Sequence, residues 1–214
     1  MTDAETDQEH IEMLIHSKPQ VPDRTDYIMG KSMDNPLTDL INMGNTLSSM
    51  GADYIAIPCI TAHYFQQQLT QGIKAPIINI VKETVSYLNN YDIKQVGIMA
   101  TEGTIYGKMF QEELTKLGIT AYVPSEKQQK NITHIIYKNV KANRPVELDR
   151  FMEAAEELKS NGARVIILGC TELSIIKRDY NIGPGFIDAM EVLAMRSIQL
   201  CGAKTKDEYK NLIT

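Results

Sequence analysis

Cysteine occurs only three times, at Cys59, Cys170 and Cys201, too few and too dispersed for a disulfide framework or a zinc ribbon. Chemistry or simple burial has to account for these thiols. A run of about 18 apolar residues is also missing, which removes the usual signal for a membrane-spanning helix. The chain opens on acidic and polar residues, unlike a signal or transit peptide, so a soluble, cytoplasmic protein is expected. There is no dense Lys/Arg cluster, and the net charge is −5. Neither nucleic acid nor an anionic membrane is therefore expected as a partner, and a small metabolite is. No low-complexity segment or flexible linker interrupts the 214 residues. With 43% hydrophobic content, the chain has enough apolar material for one large domain or two small ones sharing a close interface.

What is present is a repeat. The segment 51–61 runs Gly-Ala, four residues of strand character, then Cys59 and Thr61; the segment 162–171 runs Gly-Ala, an apolar strand, then Cys170 and Thr171. Each follows a helical pattern, over 36–50 and 148–161, so the repeated unit reads helix, glycine turn, buried strand, cysteine. In open α/β sheets ligands bind beyond the carboxyl ends of the strands. Two thiols at equivalent strand ends, facing one cleft, suggest proton transfer at carbon on opposite faces of one substrate.

Strand candidates fall at 11–15, 54–57, 77–80, 95–100, 120–123, 165–168 and 185–187. Helix candidates fall at 36–50, 61–71, 80–90, 104–117, 131–141, 146–160, 171–177 and 188–201. This alternation predicts an α/β fold of two similar doubly wound parallel-sheet domains, with the site in the cleft between them. Residues 1–93 plus 185–214 form the expected first domain and 94–184 the second. The last helix is expected to pack back on the first half.

Several side chains carry candidate chemistry. A thiol with a pKa of about 8.5 is a plausible carbon acid or base once a cation or helix N-terminus stabilises its thiolate. Cys59 and Cys170 both precede helical patterns. Burial as small apolar residues is the plain alternative, and the matched positions argue against it. A redox dithiol would need the two cysteines close in sequence, which they are not. Thr61 and Thr171 are placed to cap or to bond a carboxylate. Arg24, in a proline-stiffened loop at 19–25, reads equally as a carboxylate clamp or a surface turn. His63 and Glu172 are possible supports for the thiols, or a cap and a first-turn acid. Lys141, near a helix C-terminus, has no role from spacing alone. Gly103-Thr104 opens a helix whose amides could hold an anion, a weak signal. Cys201 reads as structural.

These motifs resemble the aspartate/glutamate racemase superfamily, in particular its aspartate racemase branch. Residues 16–25 are similar to the family's NPQIPDRT, 58–65 to PCNTAHYF, 100–104 to ATxGT, and 168–173 to LGCTEL. The resemblance covers nearly the whole chain, apart from the family's opening strand and GGMGPxAT loop, to which no segment here corresponds. It implies a cofactor-independent two-base racemase, with Cys59 and Cys170 as the bases. It also implies Arg24 and Lys141 as carboxylate-binding cations, and Thr61, Thr101 and Thr171 as substrate contacts. An amino-acid substrate, no metal and a homodimer are expected on the same ground. Ile60 stands where the family has Asn, which is expected to remove an amide from the site and add apolar bulk. A broad-specificity racemase, a related cysteine-dependent isomerase or decarboxylase, and a non-catalytic binder of acidic amino acids are the alternatives.

Overall fold

The computed structural model describes residues 1–214 as ten α-helices around one four-stranded parallel sheet. In chain order these are α1 (Arg24–Ile28), α2 (Leu37–Ser49), α3 (Gln66–Gly72), α4 (Ile80–Asn90), β1 (Gln95–Ala100), α5 (Glu102–Tyr106), α6 (Met109–Lys116), β2 (Thr120–Tyr122), α7 (Glu126–His134), α8 (Leu148–Ser160), β3 (Val165–Gly169), α9 (Thr171–Asp179), β4 (Phe186–Asp188) and α10 (Ala189–Leu200). A 3-10 segment, Ile60–Phe65, precedes α3, and a π turn, Ile135–Val140, continues α7. No helix is long and apolar enough to cross a membrane.

The sheet order is β2-β1-β3-β4, all parallel. β1 and β3 lie at its centre and are buried almost throughout, as expected of strands covered on both faces. One face packs against α4, α6 and α10 in a core of 21 buried residues; the other packs against α7, α8 and α9 in a core of 16. The register aligns Ala100 with Gly169, so Thr101 and Cys170 leave two neighbouring strands side by side. Gly169 permits that closeness, because a Cβ there would stand 3.1 Å from Ala100 Cβ and 3.3 Å from Met99 O.

The second half follows the sequence pattern closely, and the first half departs from it. The expected strands at 54–57 and 77–80 reduce to one parallel bridge, Ile55 to Ile77, held by Ile55 N to Pro76 O and Ile78 N to Ile55 O, both 2.9 Å. Residues 11–15 are not a strand. Their backbone pairs with no neighbour, and Met13 and Ile15 are 69% and 85% exposed. An apolar alternation cannot become a strand without an edge to bond to. The regular sheet is therefore the one built on β1 and β3. The predicted helix over 104–117 breaks into α5 and α6 at Lys108, whose φ is 51°. The predicted 131–141 helix begins earlier, at Ser125, whose hydroxyl caps α7. As expected, α10 packs back on the first half, lying against α4. Leu212 N donates to Tyr87 Oη of α4 at 2.8 Å, tying down the following chain.

Candidate functional site

Five backbone elements converge where β1 and β3 end. Cys59 is the extended residue (φ −148°, ψ 99°) before the 3-10 segment, and Cys170 the extended residue (φ −158°, ψ 143°) before α9. The two thiols thus occupy matching positions, as their repeat predicts. Thr101 caps α5, accepting from Thr104 N at 3.2 Å. Asp23 caps α1, accepting from Asp26 N at 3.0 Å, and so fixes the helix start from which Arg24 projects. The π turn delivers Lys141, whose N–H donates to Ile136 O at 3.0 Å rather than to the carbonyl four residues back.

Together these elements enclose a cavity of about 130 Å³. Eight of the nine sequence-predicted residues line it: Arg24, Cys59, Thr61, Thr101, Lys141, Cys170, Thr171 and Glu172. The ninth, His63, does not. Its ring is buried, with Nδ1 paired to Gln66 Oε1 at 2.7 Å and Nε2 to Ile57 O at 3.2 Å. Burial, only partly offset by these bonds, lowers its pKa. Its helical offset from Cys59 suggested a thiol neighbour, but the turn is 3-10, and the ring faces the backbone ahead of the cysteine instead. Ile60 borders the cavity while its side chain belongs to the larger core with Ile78 and Ile80, at 2% exposure.

Sequence reasoning missed Asp23, Thr25 and Tyr137, which also line the cavity. Thr25 adjoins Arg24, and Tyr137 lies one turn before Lys141; that adjacency was the available signal. Lys141 Nζ sits 4.8 Å above the Tyr137 ring. Burial pushes the Tyr137 hydroxyl up to about 12. It therefore stays protonated across the neutral range.

The two thiols have opposite surroundings. Burial works against the Arg24 charge, but Cys59, Asp23 and Tyr137 together offset it and raise the guanidinium's pKa. Arg24 Nη1 also donates to Pro22 O at 3.1 Å, which holds the cation in place. Cys170 faces an anion: its thiol donates to Glu172 Oε2 at 2.8 Å, and burial first, then the Glu172 charge, push it well above the ordinary thiol range. Thr171 Oγ1 donates to the same oxygen at 2.9 Å. Lys141 Nζ stands 3.8 Å from Glu172 Oε1, a loose pair that leaves the ammonium available.

Beneath the cavity the hydroxyls of Thr61, Thr101 and Thr104 contact each other at 2.9, 3.0 and 3.1 Å. Each hydroxyl carries one proton, so three mutual bonds consume all three. Thr101 also accepts from Thr104 N, which uses both its lone pairs, so Thr61 alone keeps an acceptor lone pair for the cavity. Gly103 makes this closeness possible, because a Cβ there would lie 2.9 Å from Thr25 Cα and 3.2 Å from Thr61 Cγ2.

Cys201 lies elsewhere, exposed, in an open groove of about 700 Å³ between residues 9–12, 53–54 and 200–203. The groove is larger than the cavity but brings no cation or paired thiol to Cys201, and the chemistry concentrates at the strand ends. No cluster of three or more His, Cys, Asp or Glu is arranged to hold a metal ion.

The profile of the Asp/Glu/hydantoin racemase family matches residues 1–196. The structure of an aspartate racemase from Picrophilus torridus superposes with a TM-score of 0.82 at 29% identity, covering 98% of this chain and 88% of that one. The broad-specificity amino-acid racemase RacX of Bacillus subtilis is 24% identical over 197 residues, 91% of this chain and 84% of its own length. A glutamate racemase from Persephonella marina is 25% identical over 150 residues, 69% of this chain and 56% of its own.

Proposed function

Because the chain belongs to the Asp/Glu/hydantoin racemase family, and is an isomerase of the racemase kind, we propose that it racemises aspartate by a two-base mechanism in which Cys59 and Cys170 are the bases and no cofactor takes part. The observation that carries this reading is the pair of matched thiols opening into one small cavity between two cations, Arg24 and Lys141. Two cations suit a substrate with two carboxylates. The likeness in structure and sequence to the Picrophilus protein, named as an aspartate racemase, supports the same reading.

In one direction the Cys59 thiolate, beside Arg24, takes the α-proton: the Cα–H bond breaks and an S–H bond forms. The resulting carbanion is stabilised by the cation on its α-carboxylate. Cys170, held protonated by burial and by Glu172, gives its proton to the opposite face, and its S–H bond breaks as the new Cα–H bond forms. In the other direction the roles exchange. The substrate's second carboxylate competes with Glu172 for Lys141. Thr61 accepts from the substrate ammonium, Thr101 packs beside it, and Thr171 contributes a hydroxyl at the mouth of α9.

A broader substrate range is the second reading, supported by the similarity to RacX. We further propose that the protein acts as a homodimer. Chiral chromatography of a panel of L- and D-amino acids tests the proposal. Aspartate turnover lost in both Cys59→Ser and Cys170→Ser supports it, with a drop of about 10²-fold or more expected for loss of an acid-base group. Equal turnover of neutral amino acids would favour the broader range, and a single variant with full activity would contradict the two-base chemistry.

A further inference from the structure

Asp188, at the end of β4, is 3% exposed and takes no part in the chemistry above. Its Oδ1 accepts two bonds, one from Met190 N at 2.8 Å, which caps α10, and one from the Ser174 hydroxyl at 2.7 Å. Ser174 lies in the first turn of α9, and the same hydroxyl stands 3.3 Å from the carbonyl oxygen of Cys170. A single hydroxyl therefore stands between the carboxylate and the backbone carbonyl of the residue that carries the candidate base. We infer that Asp188 is a positioning residue: through Ser174 it holds the first turn of α9, and with it the Cys170 thiol, in place against the cavity.

The neighbourhood supports this assignment. Leu168 opposes Asp188 across the sheet and is apolar. The charged groups that face it are Lys177 of α9 and Glu191 of α10, which are paired with each other at 2.6 Å and form a second tie between the same two helices. Burial pushes the Asp188 carboxyl up to about 6. Above that pH the anion accepts fully from Ser174. Below it the carboxyl becomes a donor, and the Ser174 hydroxyl turns to the Cys170 carbonyl alone. The hold on α9 is thus strongest when Asp188 is ionised.

This inference rests on the reading of Cys170 as a site thiol, but its test needs no substrate. The rate at which a pyridyl disulfide reagent modifies each cysteine is followed by peptide mass spectrometry between pH 5 and 8, in the whole protein and in Ser174→Ala and Asp188→Asn. Loss of one ordinary hydrogen bond corresponds to about a 2- to 10-fold change. Ser174→Ala is expected to raise the Cys170 rate by that factor while Cys59 and Cys201 keep theirs. The wild-type Cys170 profile should carry a step near pH 6 that Asp188→Asn abolishes. An unchanged Cys170 rate in Ser174→Ala, a pH step that persists in Asp188→Asn, or parallel changes at all three cysteines would overturn the assignment. Racemase activity of the unaltered protein is judged separately, so its absence would refute the proposed function without touching this result.

Discussion

Replacing Gly103 with alanine should damage both packing and turnover, for a reason visible in three distances. The new Cβ would stand 2.9 Å from Thr25 Cα, 3.0 Å from Thr25 Oγ1 and 3.2 Å from Thr61 Cγ2. Comfortable carbon contacts begin at about 3.5 Å, so α1 and the 3-10 segment must together retreat by roughly 0.6 Å. Overpacking of this kind costs about 1–3 kcal/mol, against a gain of about 0.5–1 kcal/mol for alanine over glycine in a helix. Packing wins because the closest atom is backbone rather than the end of a flexible side chain. The net loss is then at most about 2.5 kcal/mol, and since each kcal/mol moves the melting temperature of a chain this size by about 2–4 °C, a fall of up to about 10 °C is expected in a thermal scan. The retreating elements carry Arg24, Cys59 and Thr61, and misplacement by about 1 Å can cost about 10²-fold. A loss of about 10- to 100-fold in kcat/KM should therefore accompany the melting shift. A Gly103→Ala protein with the melting temperature and kcat/KM of wild type would refute the reasoning.

Two further outcomes follow from the same buried neighbourhoods. Thr104→Val keeps the shape of a fully buried side chain but opens the three-hydroxyl ring; unfolding by urea should show a loss of about 1–3 kcal/mol, and Thr104→Ser should recover most of it. His63 is held neutral because burial lowers its pKa, so the unfolded chain binds its proton more readily. Stability is then present above about pH 6.5 and is lost as pH falls below it, and urea midpoints measured from pH 7.5 to 5.5 should decline less in His63→Gln than in wild type.

How much of this was legible beforehand depended on whether a signal was local. The apolar runs that became β1 and β3 needed only burial on both faces, and their ends placed Thr101 and Cys170 next to each other. The repeat around Cys59 and Cys170 was readable because both thiols precede a helical turn from an extended residue. The segment 11–15 carried the same apolar signature as a strand, yet strand formation also requires a neighbour, which sequence pattern does not reveal. His63 misled because a one-turn offset assumes an α-helix, and the 3-10 geometry turned its ring to Ile57 O. Thr104 was legible only as part of a weak anion-loop signal, because its partner hydroxyl lies 43 residues away, and Asp188, a carboxylate 14 residues from its serine, had no local signal.

The account's central claim is that two thiols exchange the α-proton of one acidic amino acid from opposite faces. NMR of L- and D-aspartate in D₂O, with L-glutamate alongside, follows that exchange directly, with Cys59→Ala and Cys170→Ala as controls. The account predicts that the wild-type protein washes deuterium into the α-position of both aspartate enantiomers and that each single variant loses this for racemisation. Full exchange in either variant, or none with any acidic amino acid in the wild-type protein, would contradict it.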